Sequence, residues 1–129
     1  MKEMLGRAIA IGSAGFFGSL ARWLIGVGVG KFQTRWNVNF PFGTLVINVT
    51  GSFFLGWFFT ITAGRLSINE TTRIAIATGF VGAYTTFSTY MFESNNLFQK
   101  GAHYQALANM FGSLVLGMIA VYLGTKLAQ

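Results

Sequence analysis

Residues 79–93 read GFVGAYTTFSTYMFE, and the reading of this stretch decides the fold. It lies inside an apolar run long enough to cross a bilayer, yet it makes a poor helix. Gly79 and Gly82 loosen the backbone. Thr85, Thr86, Ser88 and Thr89 can bond nearby backbone groups in place of the helical ladder. Aromatics stand between them (Phe80, Tyr84, Phe87, Tyr90, Phe92), and the run closes on Glu93, one of three acids in the chain. At membrane depth, irregular backbone persists only where it is buried in protein or lines a polar cavity. The stretch therefore predicts an interrupted membrane helix whose interruption faces something polar.

Composition places the rest of the chain around it. Of 129 residues, 53% are hydrophobic and only 9% charged, against about 25% charged in an average soluble domain. This is a composition for lipid, and the length suits a single domain. The absence of cysteine removes disulfides and thiolate metal sites. One histidine and three acids leave little for acid–base or metal catalysis, so an enzyme is not expected. The net charge of +6 comes from nine Lys and Arg scattered at the ends of apolar runs. That pattern fits membrane flanks and argues against nucleic acid. The first apolar run is too long for a cleavable signal peptide. A multi-pass protein of a prokaryotic inner or plasma membrane is expected.

Four apolar spans emerge, at about residues 5–30, 43–64, 73–96 and 102–124, each near the ~20 residues a bilayer requires. They predict an all-α membrane protein in which residues 1–129 form one four-span domain. The connections 31–42, with the sole proline Pro41, 65–72 and 95–101 have no room for a soluble domain. Lys2, Arg7, Arg65, Arg73 and Lys126 fall on the N-terminal side, against Lys31, Arg35 and Lys100 on the other. Orientation follows such an excess, and this one is small. Insertion in both orientations and ordinary insertion with the N-terminus inside both remain open.

Polar and small residues recur every four positions, and so share helix faces. Span two carries Thr44, Asn48, Ser52 and Gly56; span four carries Gln105, Asn109, Ser113 and Gly117. Span one carries Gly18, Arg22, Gly26 and Gly30. For the glycines, close helix packing is the expected reason. A carboxamide in hydrocarbon must find partners or water, so packing and pore lining both stand for Asn48, Asn109 and Gln105. The stripes are almost wholly neutral donors and acceptors, as befits a path for a small polar solute or a desolvated ion.

Arg22 is the costliest residue to place in lipid. It either draws an anion into a vestibule or anchors a helix end. Glu93 stands near a pore mouth or bonds a neighbouring chain; a lone acid argues against an acidic ring for cations. His103 is expected at the interface. Phe87 and Tyr90, three apart, project on one side of a helical turn. Aromatic edges carry partial positive charge, so the pair offers either a weakly attractive surface for a small anion or two rings of the core.

Taken together, GFVGAYTTFSTYMFE, GTLVINVTGSFFLG of span two and GFFGSLARW of span one resemble the Fluc/CrcB family of fluoride channels, over essentially the whole chain. The resemblance implies a dual-topology homodimer, two subunits inserted antiparallel, with two narrow pores that passively export fluoride. It implies that Asn48 is the pore asparagine, with Thr44 one turn before it, and that Phe87 and Tyr90 present ring edges to fluoride. Ser88, Thr89, Asn109 and Ser113 join them as neutral donors along the pore. Gly82 and Thr85 are implied to hold a structural sodium ion through backbone carbonyls at the dimer axis, and Arg22 and Glu93 to serve the vestibule or gating. No organic cofactor is implied; fluoride, the lipid bilayer and a second copy are the expected partners.

Two departures from the family stand out. Tyr90 occupies a position where the family usually has phenylalanine, adding a hydroxyl that could donate to fluoride or narrow the path. In span four the serine pattern is only partly matched, by Asn109 and Ser113, which leaves the register between Tyr104 and Gln105 open. The competing reading is a small dual-topology, proton-coupled multidrug exporter. Such exporters resemble this chain in size but rely on an acid inside span one, where this chain has Arg22 and no acid until Glu70.

Overall fold

The computed structural model describes residues 1–36 and 39–129. Its elements are helices: α1 (Lys2–Trp36), α2 (Phe42–Gly64), α3 (Glu70–Ile74), a π-helical segment (Ala75–Val81), α4 (Gly82–Tyr84), α5 (Phe87–Gln99) and α6 (His103–Ala128). Among the described residues three helices, α1, α2 and α6, are long and apolar enough to cross a membrane. The stretch expected as the third span is divided among α3, the π-helical segment, α4 and α5. Helix α1 continues through Trp36, well into the expected 31–42 connection, because Lys31–Trp36 contains neither Gly nor Pro to stop it. Residues 37 and 38 of that connection lie outside the described residues.

Helices α2 and α6 lie against one another, and glycines set their separation. A Cβ on Gly124 would collide with the Phe53 carbonyl, and one on Gly56 would come within 2.5 Å of the Val121 carbonyl. Helix α1 meets the π-helical segment in the same way: a Cβ on Gly18 would strike the Phe80 carbonyl, and one on Gly79 the Ile11 carbonyl at 2.6 Å. Close backbone approach is how membrane helices gain contact where no hydrophobic force separates lipid from Leu. The small-residue stripes therefore serve packing at Gly18 and Gly56, but Gly26 and Gly30 of the same α1 row have no neighbour within 4 Å of an added Cβ.

Threonines inside the spans satisfy themselves locally. Thr50, Thr60 and Thr62 each donate to the carbonyl four residues earlier, Val46, Gly56 and Phe58, at 2.7–2.8 Å. At the N-terminal side, Arg7 bridges Glu3 at 2.7 Å and Glu70 at 2.9 Å, tying α1 to the start of α3. Asn69 caps α3 by accepting from the Thr72 N–H.

The chain exposes 8426 Å², where a compact soluble monomer of 14.1 kDa would expose about 6,700 Å². The excess is largely apolar: Phe16, Phe17, Trp23, Phe111, Leu114 and Met118 all stand more than half exposed. Water would not tolerate patches of this extent on a monomer. Lipid or another copy must cover them.

Candidate functional site

The site is built around two residues that leave the helix. Thr85 (φ −80°, ψ 160°) and Thr86 (φ −152°, ψ 117°) are extended, between α4 and α5. The backbone groups freed there are taken up by side chains. Asn48 on α2 pairs with both backbone groups of Thr86: its Oδ1 accepts from the Thr86 N–H at 2.8 Å, and its Nδ2 donates to the Thr86 carbonyl at 3.0 Å. Thr86 caps α5, its Oγ1 accepting from the Thr89 N–H at 3.3 Å. Thr85 directs both its N–H and its hydroxyl to the Val81 carbonyl, each at 2.9 Å.

These bonds have a consequence for the opposite groups. In a continuous helix the Thr86 N–H would reach the Gly82 carbonyl, and the Thr89 N–H the Thr85 carbonyl. Here the first is turned to Asn48 and the second to the Thr86 hydroxyl. The carbonyls of Gly82 and Thr85 are thereby released from the ladder. They are neutral, hard oxygen donors, the class that suits an alkali or alkaline-earth cation. Among the described residues no group of three or more His, Cys, Asp or Glu comes together to hold a metal.

Three cavities follow the interruption and share lining residues. The first, about 210 Å³, is lined by Gln33, Asn39, Asn96 and Lys100 among others. The second, about 600 Å³, holds Arg22, Thr44, Thr86 and Thr89, and shares Gln33, Pro41 and Glu93 with the first. The third, about 230 Å³, is lined by Asn48, Ser52, Thr85 and Phe87, and shares Thr86 with the second. Thr44, buried on α2, donates to Glu93 Oε1 at 2.9 Å, while Glu93 Oε2 is buried without a partner. Arg22 lines the same cavity from α1.

Proton counting shows which donors remain free. The Asn48 amide carries two hydrogens, and one is on the Thr86 carbonyl. The Thr89 hydroxyl accepts from Thr86 Oγ1 at 3.0 Å, so its own hydrogen is available. Ser52 also lines the third cavity. Phe87, 75% exposed, stands at the edge of that cavity with its ring 5.8 Å from that of Tyr90.

Within one chain, then, Arg22, Thr44, Asn48, Thr85, Phe87, Thr89 and Glu93 fall along one groove. Tyr90, Asn109 and Ser113 fall elsewhere. Asn109 is fully buried; its Nδ2 donates to Ser94 Oγ at 2.9 Å, and its Oδ1 accepts from Ser113 at 3.4 Å. Ser94 in turn donates to the Tyr90 carbonyl at 2.8 Å. This chain of bonds fastens α5 to α6. Ser88 is exposed, 3.5 Å from the Thr86 hydroxyl, and Gly82 is exposed beside the break. Tyr104 is 88% exposed and Gln105 also faces outward. Sequence reading did not single out Thr86, Ser94 or Tyr84 as site residues. Thr86 alone carried a usable signal, as a Thr three residues before Thr89 at a helix start.

A family model described as CrcB-like protein, Camphor Resistance (CrcB), matches residues 9–125. Among curated relatives, a protein of Chlorobium chlorochromatii named fluoride-specific ion channel FluC is 39% identical over 124 residues, covering 96% of this chain and 93% of the relative. One of the same name from Solibacter usitatus is 40% identical over 129 residues, covering 100% of this chain and 99% of the relative. One from Legionella pneumophila (strain Paris) is 37% identical over 122 residues, covering 95% and 87%.

Proposed function

The chain belongs to the CrcB-like protein family, and from that premise we propose that this multi-pass prokaryotic membrane protein is a passive, fluoride-selective channel. The observation that carries the reading is the groove along the interrupted helix, where neutral donors with uncommitted hydrogens line successive cavities. Fluoride holds its water tightly, so a path must replace that water with several small donors at once. The second Asn48 amide hydrogen and the hydroxyls of Thr89 and Ser52 are such donors. The Phe87 ring edge adds weak positive potential without a fixed charge that would trap the ion. Arg22, which lines the widest of these three cavities together with Glu93, gives that end of the groove an anion-attracting group.

In this reading the conducting unit is an antiparallel homodimer. Each groove is open on one side, Phe87 is uncovered, and much apolar surface awaits a cover; a second, inverted copy meets all three needs. Tyr90 and Ser113, partly exposed on their own chain, then line the path from the opposite chain, with the buried Asn109 holding Ser113 from behind. The two-fold axis pairs the released Gly82 and Thr85 carbonyls with those of the second copy, and these four oxygens would hold a sodium ion. Such an ion supplies positive charge that offsets carbonyl dipoles left without donors.

The test is efflux from liposomes reconstituted with the purified protein and loaded with potassium fluoride or potassium chloride. Addition of a potassium ionophore should release fluoride within seconds to minutes and retain chloride. Equal release of both ions, or of neither, defeats the proposal.

A further inference from the structure

The interruption has two sides, and α2 holds both. On the side leading into α5, Asn48 pairs with both backbone groups of Thr86. On the side leading out of α4 stands Tyr84, only 8% exposed, with its hydroxyl 2.8 Å from Thr50 Oγ1. Proton counting fixes the direction of that bond. Thr50 has one hydroxyl hydrogen and the Val46 carbonyl lies 2.7 Å away, closer than the Ile47 carbonyl at 3.2 Å. With that hydrogen on Val46, the Tyr84 phenol donates and the Thr50 oxygen accepts.

The ring itself is confined. It stacks on Phe80 at 6.1 Å with an interplanar angle of 8°. From α2 it is met at Gly51, where an added Cβ would lie 3.2 Å from Tyr84 Cδ1 and would collide with the Thr85 methyl. Gly51 thus lets α2 come close enough for Thr50 and Asn48 to reach opposite sides of the break. A phenol locked by ring stacking at one face and by a hydrogen bond at its tip leaves its own backbone little freedom. That backbone is the last helical residue before the break.

We propose that Tyr84 is a positioning residue of the interruption: anchored on Thr50, it fixes the peptide entering the break as Asn48 fixes the peptide leaving it. Asn48 holds the peptide that carries the Thr85 carbonyl through its Thr86 N–H. The position from which the chain enters that peptide, and with it the station of Phe87, then depends on a hydroxyl that touches neither. This deepens the channel reading and rests on it for the consequence in ion flux, while the geometry is measurable with no ion present.

Hydrogen–deuterium exchange of the full-length protein, read in peptides covering 84–90 and in reference peptides from α6, tests it. Tyr84→Phe and Thr50→Val should each speed exchange at residues 85–88 by about tenfold, the scale of one lost net hydrogen bond. Thr50→Ser, which keeps the acceptor, should stay within about twofold of the parent protein. The double variant should match the single ones, because both remove one interaction. Exchange in α6 should not change, and fluoride efflux should fall in the same order as exchange rises. Unchanged exchange at 85–88 in Tyr84→Phe, an equal rise in α6, or a Thr50→Ser protein as loose as Thr50→Val would each overturn the proposal. If Tyr84→Phe does not fold, the Ser and Val variants of Thr50 decide the matter from the other partner. Loosening of the break as expected, in a protein that passes no fluoride, would uphold the positioning role and remove the channel reading instead.

Discussion

The Tyr90 hydroxyl donates to the Met110 carbonyl at 2.8 Å, so the one atom that separates this residue from phenylalanine is directed at α6. Met110 is inside α6, and its carbonyl has a second lone pair for the helical ladder. The bond is therefore an addition to α6 rather than a substitute for one of its own. It also leaves the ring edge of Tyr90 in place, 5.8 Å from Phe87.

Removal of that hydroxyl should be mild. Tyr90→Phe loses one part-buried neutral hydrogen bond, worth about 1 kcal/mol net, and strands no donor. A small drop in melting temperature in detergent with fluoride efflux retained is the expected result. Loss of efflux would show the hydroxyl acting on the ion.

Asn109 should behave differently. It is fully buried with its amide on Ser94 and its carbonyl oxygen accepting from Ser113. Asn109→Ala leaves the Ser94 and Ser113 hydroxyls short of a partner and should cost about 1–3 kcal/mol. Asn109→Asp also replaces a donor with a charge in a dry site, and should cost more. Chemical denaturation followed by tryptophan fluorescence orders the three proteins.

Asn48 supports both the N–H and the carbonyl of Thr86, which belong to two successive peptides, so its variants separate. Asn48→Asp keeps the acceptor for the Thr86 N–H but sets a carboxylate oxygen against the Thr86 carbonyl and beside the proposed path. Fluoride efflux should be suppressed at least as strongly as in Asn48→Ala, although Asp preserves one bond more. An Asn48→Asp protein with parental efflux would remove Asn48 from the path.

The α1 glycine row offers a contrast at constant chemistry. Gly18→Ala drives a methyl into the Phe80 carbonyl, and overpacking of this kind costs about 1–3 kcal/mol. Gly26→Ala meets nothing within 4 Å and should lie within about 0.5 kcal/mol of the parent or gain from helix propensity. Melting temperatures of the two variants, measured side by side, check the difference. Similar effects would mean that α1 does not pack on the π-helical segment as described.

The sequence by itself determined the solvent and the weak point. A chain with 9% charge and four apolar runs has one stable environment, and glycines with clustered hydroxyls in 79–93 marked where a helix would fail. It also named the residues that carry family resemblance, because a motif is a local string. The partner each polar group takes was decided only by tertiary structure. Asn48 could have faced water, a neighbouring helix or an ion; the fold set it against the Thr86 backbone, which took the Thr86 N–H away from the Gly82 carbonyl. Asn109 and Ser113 repeat the spacing of Asn48 and Ser52, yet they join α5 to α6 while the others line the groove. Periodicity says which residues share a face but not what that face meets. The same holds for Gly18 and Gly26, one against a carbonyl and one against open space. Only the crossing of helices, fixed by contacts far apart in the chain, tells them apart.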